Sequence, residues 1–136
     1  MRETSFLPAV VAVCALLAGC ASRGGHLTGS ALAGAADGFV RFELTPADNV
    51  MISLKIRHLP DPEKLEPPAW AYVAWIRTSA GSPPLNLGPL NLGKDLNGEL
   101  KTVTQLREFE LFVTAEPTAV VDRPSGEPLL WASRIE

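Results

Sequence analysis

Two cysteines, two histidines and scattered acids are the residues of this chain that could do chemistry. Cys14 lies within an N-terminal apolar run and Cys20 closes it; no thiol follows Cys20, so the rest of the chain can form no internal disulfide. Nucleophilic catalysis needs a Ser or Cys with a base in reach, and no Gly-x-Ser-x-Gly elbow occurs. His58 stands where an alternating strand meets a loop, with Asp61 close in sequence. A histidine so placed is expected to be solvated rather than a general base. Metal chemistry has no better footing. There is no Cys-x-x-Cys and no His-x-x-x-His, and Asp95-Leu96-Asn97-Gly98 lacks the spacing of a calcium loop. A copper site would need Cys, His and Met together, whereas Met51 and His58 are seven apart and fall on opposite faces of a regular strand. Glu108 and Glu110 share a strand face, as solvated glutamates commonly do. The expectation is therefore no catalytic residue, no metal and no cofactor.

The chemistry that remains belongs to Cys20. Residues 1–5 carry Arg2 offset by Glu3, and residues 6–18 hold no charge and are interrupted only by Pro8. That run is a signal-peptide length, short of the ~20 apolar residues a helix needs to span a bilayer. It ends in Leu17-Ala18-Gly19-Cys20, which resembles the lipobox of bacterial lipoproteins. The resemblance implies that residues 1–19 are removed as a signal peptide and that Cys20 becomes the acylated N-terminus. Several acyl chains on one residue suffice for stable anchoring, so the implied partner is a membrane, held through Cys20. Ala21 stands where an aspartate commonly retains Gram-negative lipoproteins in the inner membrane. In such a cell the chain is expected at the outer membrane, facing the periplasm.

Positioning elements can be read from pattern and composition. A net charge of -3 and a pI near 5.4 argue against nucleic acid as a partner, which usually calls for a basic stripe. Twelve prolines and eleven glycines suit short strands joined by many turns. Residues 20–37, rich in Gly, Ala and Ser, read as the acylated cysteine and a flexible tether spanning ~20–25 Å as a coil, with His26 solvated within it. Residues 38–136 read as one domain. Strands are expected at 39–44, at 50–57 with its clean alternation, and at 70–77, largely apolar and hence central. The repeat Pro84-Leu85-Asn86-Leu87-Gly88, Pro89-Leu90-Asn91-Leu92-Gly93 suggests a kinked edge strand. Asn97-Gly98 suggests a type I′ hairpin into 99–103; strands at 109–113 and 129–135 follow. Loops at 59–68 and 116–128 are the natural places for a contact surface. About seven short strands without an amphipathic helix indicate an all-β, immunoglobulin-like antiparallel β-sandwich.

Three stretches of this domain are similar to the extracytoplasmic C-terminal domain of anti-sigma-K-type factors. They are Leu59-Pro60 before a proline-rich loop, Tyr72-Val73-Ala74-Trp75-Ile76, and Phe112 to Pro117 with Pro124-Ser125-Gly126-Glu127-Pro128-Leu129. The resemblance implies a β-sandwich and supplies no catalytic residue. In that family a cytoplasmic domain and a transmembrane helix come first; here the lipobox takes their place, so direct binding of a sigma factor is not expected. Among the aromatics, Trp75 is expected in the core of the sandwich, while Trp70 and Trp131 are candidates for core or for a contact patch. The reading is a membrane-anchored, non-enzymatic envelope module whose ligand is unidentified. The alternatives are an accessory sensor of an envelope signalling system, and an envelope hydrolase or metal carrier.

Overall fold

The structure is a computed structural model and describes residues 23–135; Cys20 and segment 1–19 lie outside the described residues. Period-two patterning sets the strands. In β4 (Val50–Arg57) the side chains of Val50, Ile52, Leu54 and Ile56 are buried, while Lys55 and Arg57 on the alternate face are exposed. The other strands are β1 (Arg23–His26), β2 (Thr28–Gly29), β3 (Asp37–Leu44), β5 (Ala71–Arg77), β6 (Leu85–Pro89), β7 (Asn91–Leu92), β8 (Gly98–Thr104), β9 (Phe109–Glu116) and β10 (Leu130–Ile135). They form two antiparallel five-stranded sheets, sheet A in the order β1-β3-β4-β8-β7 and sheet B in the order β2-β10-β9-β5-β6. The chain is an all-β sandwich. Val40, Ile52, Leu54 and Ile56 of sheet A meet Tyr72, Ile76, Leu111 and Leu130 of sheet B in its core. Among the described residues no helix is long and apolar enough to cross a membrane.

The seven strands of five or more residues are the seven expected from the sequence; three short ones are additional. Two of these correct the reading of 20–37 as a flexible tether. From Arg23 onward that segment is part of the sandwich: β1 pairs with β3 and β2 with β10. Its small residues gave no alternation to read, yet Leu27 and Ala33 are buried in the core. His26 is exposed, as expected, but its ring meets Phe39 edge-on at 5.4 Å and lies 3.6 Å from the Asp37 carboxylate.

Both lateral edges of the sandwich are stitched in the same way. β1 of sheet A passes to β2 of sheet B across Leu27 alone, and β6 of sheet B passes to β7 of sheet A across Leu90 alone. The Leu27 N–H donates to Gly38 O at 2.8 Å and the Leu90 N–H to Tyr72 O at 2.7 Å. Each crossing leucine lies over a strand glycine. A Cβ on Gly38 would overlap Leu27, and one on Gly98 would sit 3.0 Å from Leu90 and 3.1 Å from Leu59. The two glycines flank Ile56 in one row of sheet A. The repeat is thus an edge element, as expected, and its kink is the passage from one sheet to the other.

Gly98 is accordingly a strand residue, which corrects the expected Asn97-Gly98 turn. The turn lies earlier: the Leu96 N–H donates to Gly93 O, the Gly93 N–H to Asn97 O, and Leu96 takes φ 60°. The β3–β4 hairpin repeats this geometry, with the Asp48 N–H to Thr45 O, the Thr45 N–H to Asn49 O, and φ 66° at Asp48. Both are type I turns closed by a left-handed residue. β5 is interior, as expected, but flanked by β9 on one side and the edge strand β6 on the other.

Candidate functional site

The outer face of sheet B carries a second apolar cluster. In β5 the residues Tyr72, Ala74 and Ile76 point into the sandwich, so Val73 and Trp75 point away from it. Trp75 was expected between the sheets; it is fully buried, but on the outside of sheet B, against Phe112. The two rings are near parallel, 6.4 Å apart and 13° from coplanar. What buries Trp75 is the 117–128 loop, whose Val121 packs on the cluster.

A buried indole needs an acceptor, and here it begins a chain. Trp75 Nε1–H donates to Thr114 Oγ1 at 2.8 Å, and the Thr114 hydroxyl donates to Glu116 Oε1 at 2.6 Å. The fully buried Glu116 carboxylate also accepts the Ser125 N–H at 3.0 Å and the Ser125 hydroxyl. Each donor in the chain finds a partner, which is the condition for keeping such groups out of water. From the edge strand, Asn86 Nδ2 donates to Val121 O at 3.0 Å and Ala119 O at 3.3 Å. The loop expected as a contact surface is a pinned roof whose outward side chains, Val120 among them, stay exposed. The 59–68 loop is held similarly: Tyr72 Oη donates to Pro60 O at 2.6 Å, and Leu59 and Pro62 are buried.

Beyond the roof the same face is open. Register aligns Trp75, Phe112 and Trp131 on the adjacent strands β5, β9 and β10. Exposure rises along the row, from 0% at Trp75 through 5% at Phe112 to 39% at Trp131. Beside Trp131 is a cleft of about 440 Å³ lined by Arg77, Glu110, Phe112, Pro128 and Trp131 among others. Arg77 Nε donates to Glu110 Oε2 at 2.9 Å, and its guanidinium lies 5.2 Å from the Phe112 ring centre. The cleft therefore offers one half-exposed indole face bordered by a donor and an acceptor that neutralise each other. Such a surface suits a ligand with an apolar face and a polar rim.

Trp70 is more exposed, at 71%, but lies elsewhere. It precedes Ala71, which pairs with Glu116, so it stands five residues from the aromatic row, about 17 Å at strand rise. Trp70 and Trp131 do not form one patch. His58 is exposed with φ 57°, and its N–H donates to Asn97 Oδ1. Asp61, the acid that could orient it, accepts the Glu63 N–H as the cap of a 3-10 turn. Glu110 serves Arg77, while Glu108 precedes β9 and is exposed. No group of three or more His, Cys, Asp or Glu able to hold a metal occurs among the described residues.

A larger concavity, about 660 Å³, lies on the outer face of sheet A around Phe39, Arg41, Ser53, Lys55 and Lys101. Its floor is open sheet surface, and its exposed Lys55–Glu99 pair, 3.8 Å apart, organises little. Size alone does not make it the better site. The Arg77–Glu110 pair and the roof network escaped sequence reasoning because their partners are 33 and 39 residues apart. One signal was present: Phe112 interrupts the polar face of β9, between Glu110 and Thr114.

The three stretches that carry the anti-sigma-type resemblance meet in space. Tyr72 joins the first to the second through Pro60, Trp75 joins the second to the third through Thr114, and Glu116 ties the third to itself through Ser125. Their residues hold loops to strands, which is structural work. Compared with protein-family models, curated proteins and solved structures, the chain matches none.

Proposed function

We propose that this chain is a lipoprotein anchored through acylated Cys20, on the extracytoplasmic side of a bacterial membrane, and that its sandwich acts by contact rather than by catalysis. The contact surface is the Trp131 cleft. One observation carries this reading: the aromatic row is roofed and hydrogen-bonded at Trp75 but left open at Trp131, which presents a large apolar face on a rigid platform at small entropic cost. The only thiol beyond the signal segment is consumed by lipid in this reading, and Asp61, the acid close to His58 in sequence, is engaged as the cap of a turn. The ligand is an envelope component with one apolar face and hydrogen-bonding groups at its rim.

Two measurements test it. Labelled palmitate is incorporated by the wild-type chain and lost in Cys20→Ala; label that persists in the variant refutes the anchor. A soluble form beginning at Arg23 is retained on isolated cell envelopes, Trp131→Ala abolishes retention without lowering the melting temperature, and Lys55→Ala on the opposite face keeps it. Undiminished retention of Trp131→Ala overturns the site.

A further inference from the structure

Strand β1 begins at Arg23, three residues after Cys20, so at most about 11 Å of chain separates them. Arg23 pairs with Phe42, close to the pole of the sandwich where β3 turns into β4 and β8 passes to β9. The rim of that pole carries two half-exposed apolar side chains, Leu44 at 55% and Val103 at 52%, one on each face of sheet A. Its turns, 45–49, 78–84 and 105–108, are built largely of small and uncharged residues; they carry Asp48 and Glu108 against Arg107, which is paired with Asp48. The opposite pole differs in charge. Segments 58–70, 93–97 and 117–128 carry six acids against three lysines and arginines, an excess as large as the net charge of the whole chain.

We propose that the bilayer holding the acylated cysteine is what this first pole rests on. Leu44 and Val103 lie in the headgroup layer, and the acidic pole with Trp70 stands away from it. This rests on the reading of Cys20 as the anchor. A long tether would leave the domain free to tumble; a leash of three residues leading into a paired strand holds the Arg23 end at the surface. A pole with three excess acids is repelled by anionic lipid more strongly than one with a single excess acid, so charge and leash favour the same orientation.

The test uses the acylated full-length mature protein in phosphatidylcholine vesicles doped with a headgroup-nitroxide lipid. A fluorophore is attached through Val103→Cys, or through Lys64→Cys at the acidic pole. Quenching is expected to be several-fold stronger at 103 than at 64, and a long flexible Gly/Ser insert after Ser22 is expected to erase the difference. Equal quenching at both sites in a protein that carries palmitate overturns the orientation and leaves the anchor standing. Absence of palmitate on Cys20 overturns both.

Discussion

On the outer face of sheet A, Arg41, Lys55, Arg57 and Glu99 stand in water around Phe39, whereas the outer face of sheet B is roofed over Val73, Trp75 and Phe112. The two sheets have equal numbers of strands and share one core, so backbone architecture does not explain the difference. Side chains do. Long charged groups keep their heads hydrated without help, and the ion pairs among them, Lys55–Glu99 and Arg57–Asp37, are exposed and weak. An indole beside a phenyl ring gains several kcal/mol by leaving water, but only if a loop is ordered above it. Loop ordering costs entropy at each residue, and here Asn86 and Glu116 supply the fixed points that hold it. Apolar content draws a cover over a sheet, and buried polar groups decide which segment becomes that cover.

The contrast can be broken at its centre. Trp75→Ala is expected to cost about 3–5 kcal/mol in denaturant unfolding, the cost of emptying a packed aromatic site. Trypsin should then cut at Arg123 in the loosened roof. Stability close to wild type would falsify the claim that this face is a second core.

Removing the pin instead of the ring should cost less. Glu116→Ala leaves the Ser125 N–H and the Thr114 hydroxyl without their acceptor, a loss of about 1–3 kcal/mol. Glu116→Gln should recover most of it, because a carboxamide oxygen still accepts from the Ser125 N–H. Equal losses in both variants would mean that charge, not hydrogen bonding, holds the roof.

Tyr72 sharpens the comparison because it leaves the same strand in the opposite direction. Its hydroxyl ties down the 59–68 loop from inside the sandwich, and Tyr72→Phe should cost about 1 kcal/mol at neutral pH. Burial, and secondarily the charge of Asp61, push its phenol from the usual 10 up to about 12. Between those values the folded protein keeps a proton that the unfolded chain has released. Stability from this group is therefore whole below pH 10 and lost as pH rises towards 12. Tyr72→Phe should flatten that slope. Tyr72 is the only tyrosine in the chain, so tyrosinate absorbance reports it directly; ionisation near pH 10 in the folded state would contradict the burial.

The smallest effect is expected on the bare face. Lys55→Ala should change stability by no more than about 0.5 kcal/mol, since its partner Glu99 is equally hydrated. A loss comparable to that of Trp75→Ala would show that the two outer faces do not differ in kind.

By itself the sequence determined which segments become the longer strands. Alternation in β4 and in Phe109, Leu111 and Val113 of β9 names the core face without reference to any other part of the chain. It also placed the edge character of the repeat and the exposure of His58. Three things were settled only by tertiary structure. Where a strand is apolar on both sides, as β5 is, period two cannot say which side faces the other sheet, so the outward direction of Trp75 depended on the roof. Where residues are small, as in β1 and β2, there is no pattern to read, and a buried Leu27 resting on Gly38 made strands of an expected tether. The Trp131 cleft joins β5, β9 and β10, whose partners lie more than thirty residues apart in places, and no local signal encodes that register. Alternation is a property of a segment, whereas a site on a sheet is a property of the pairing.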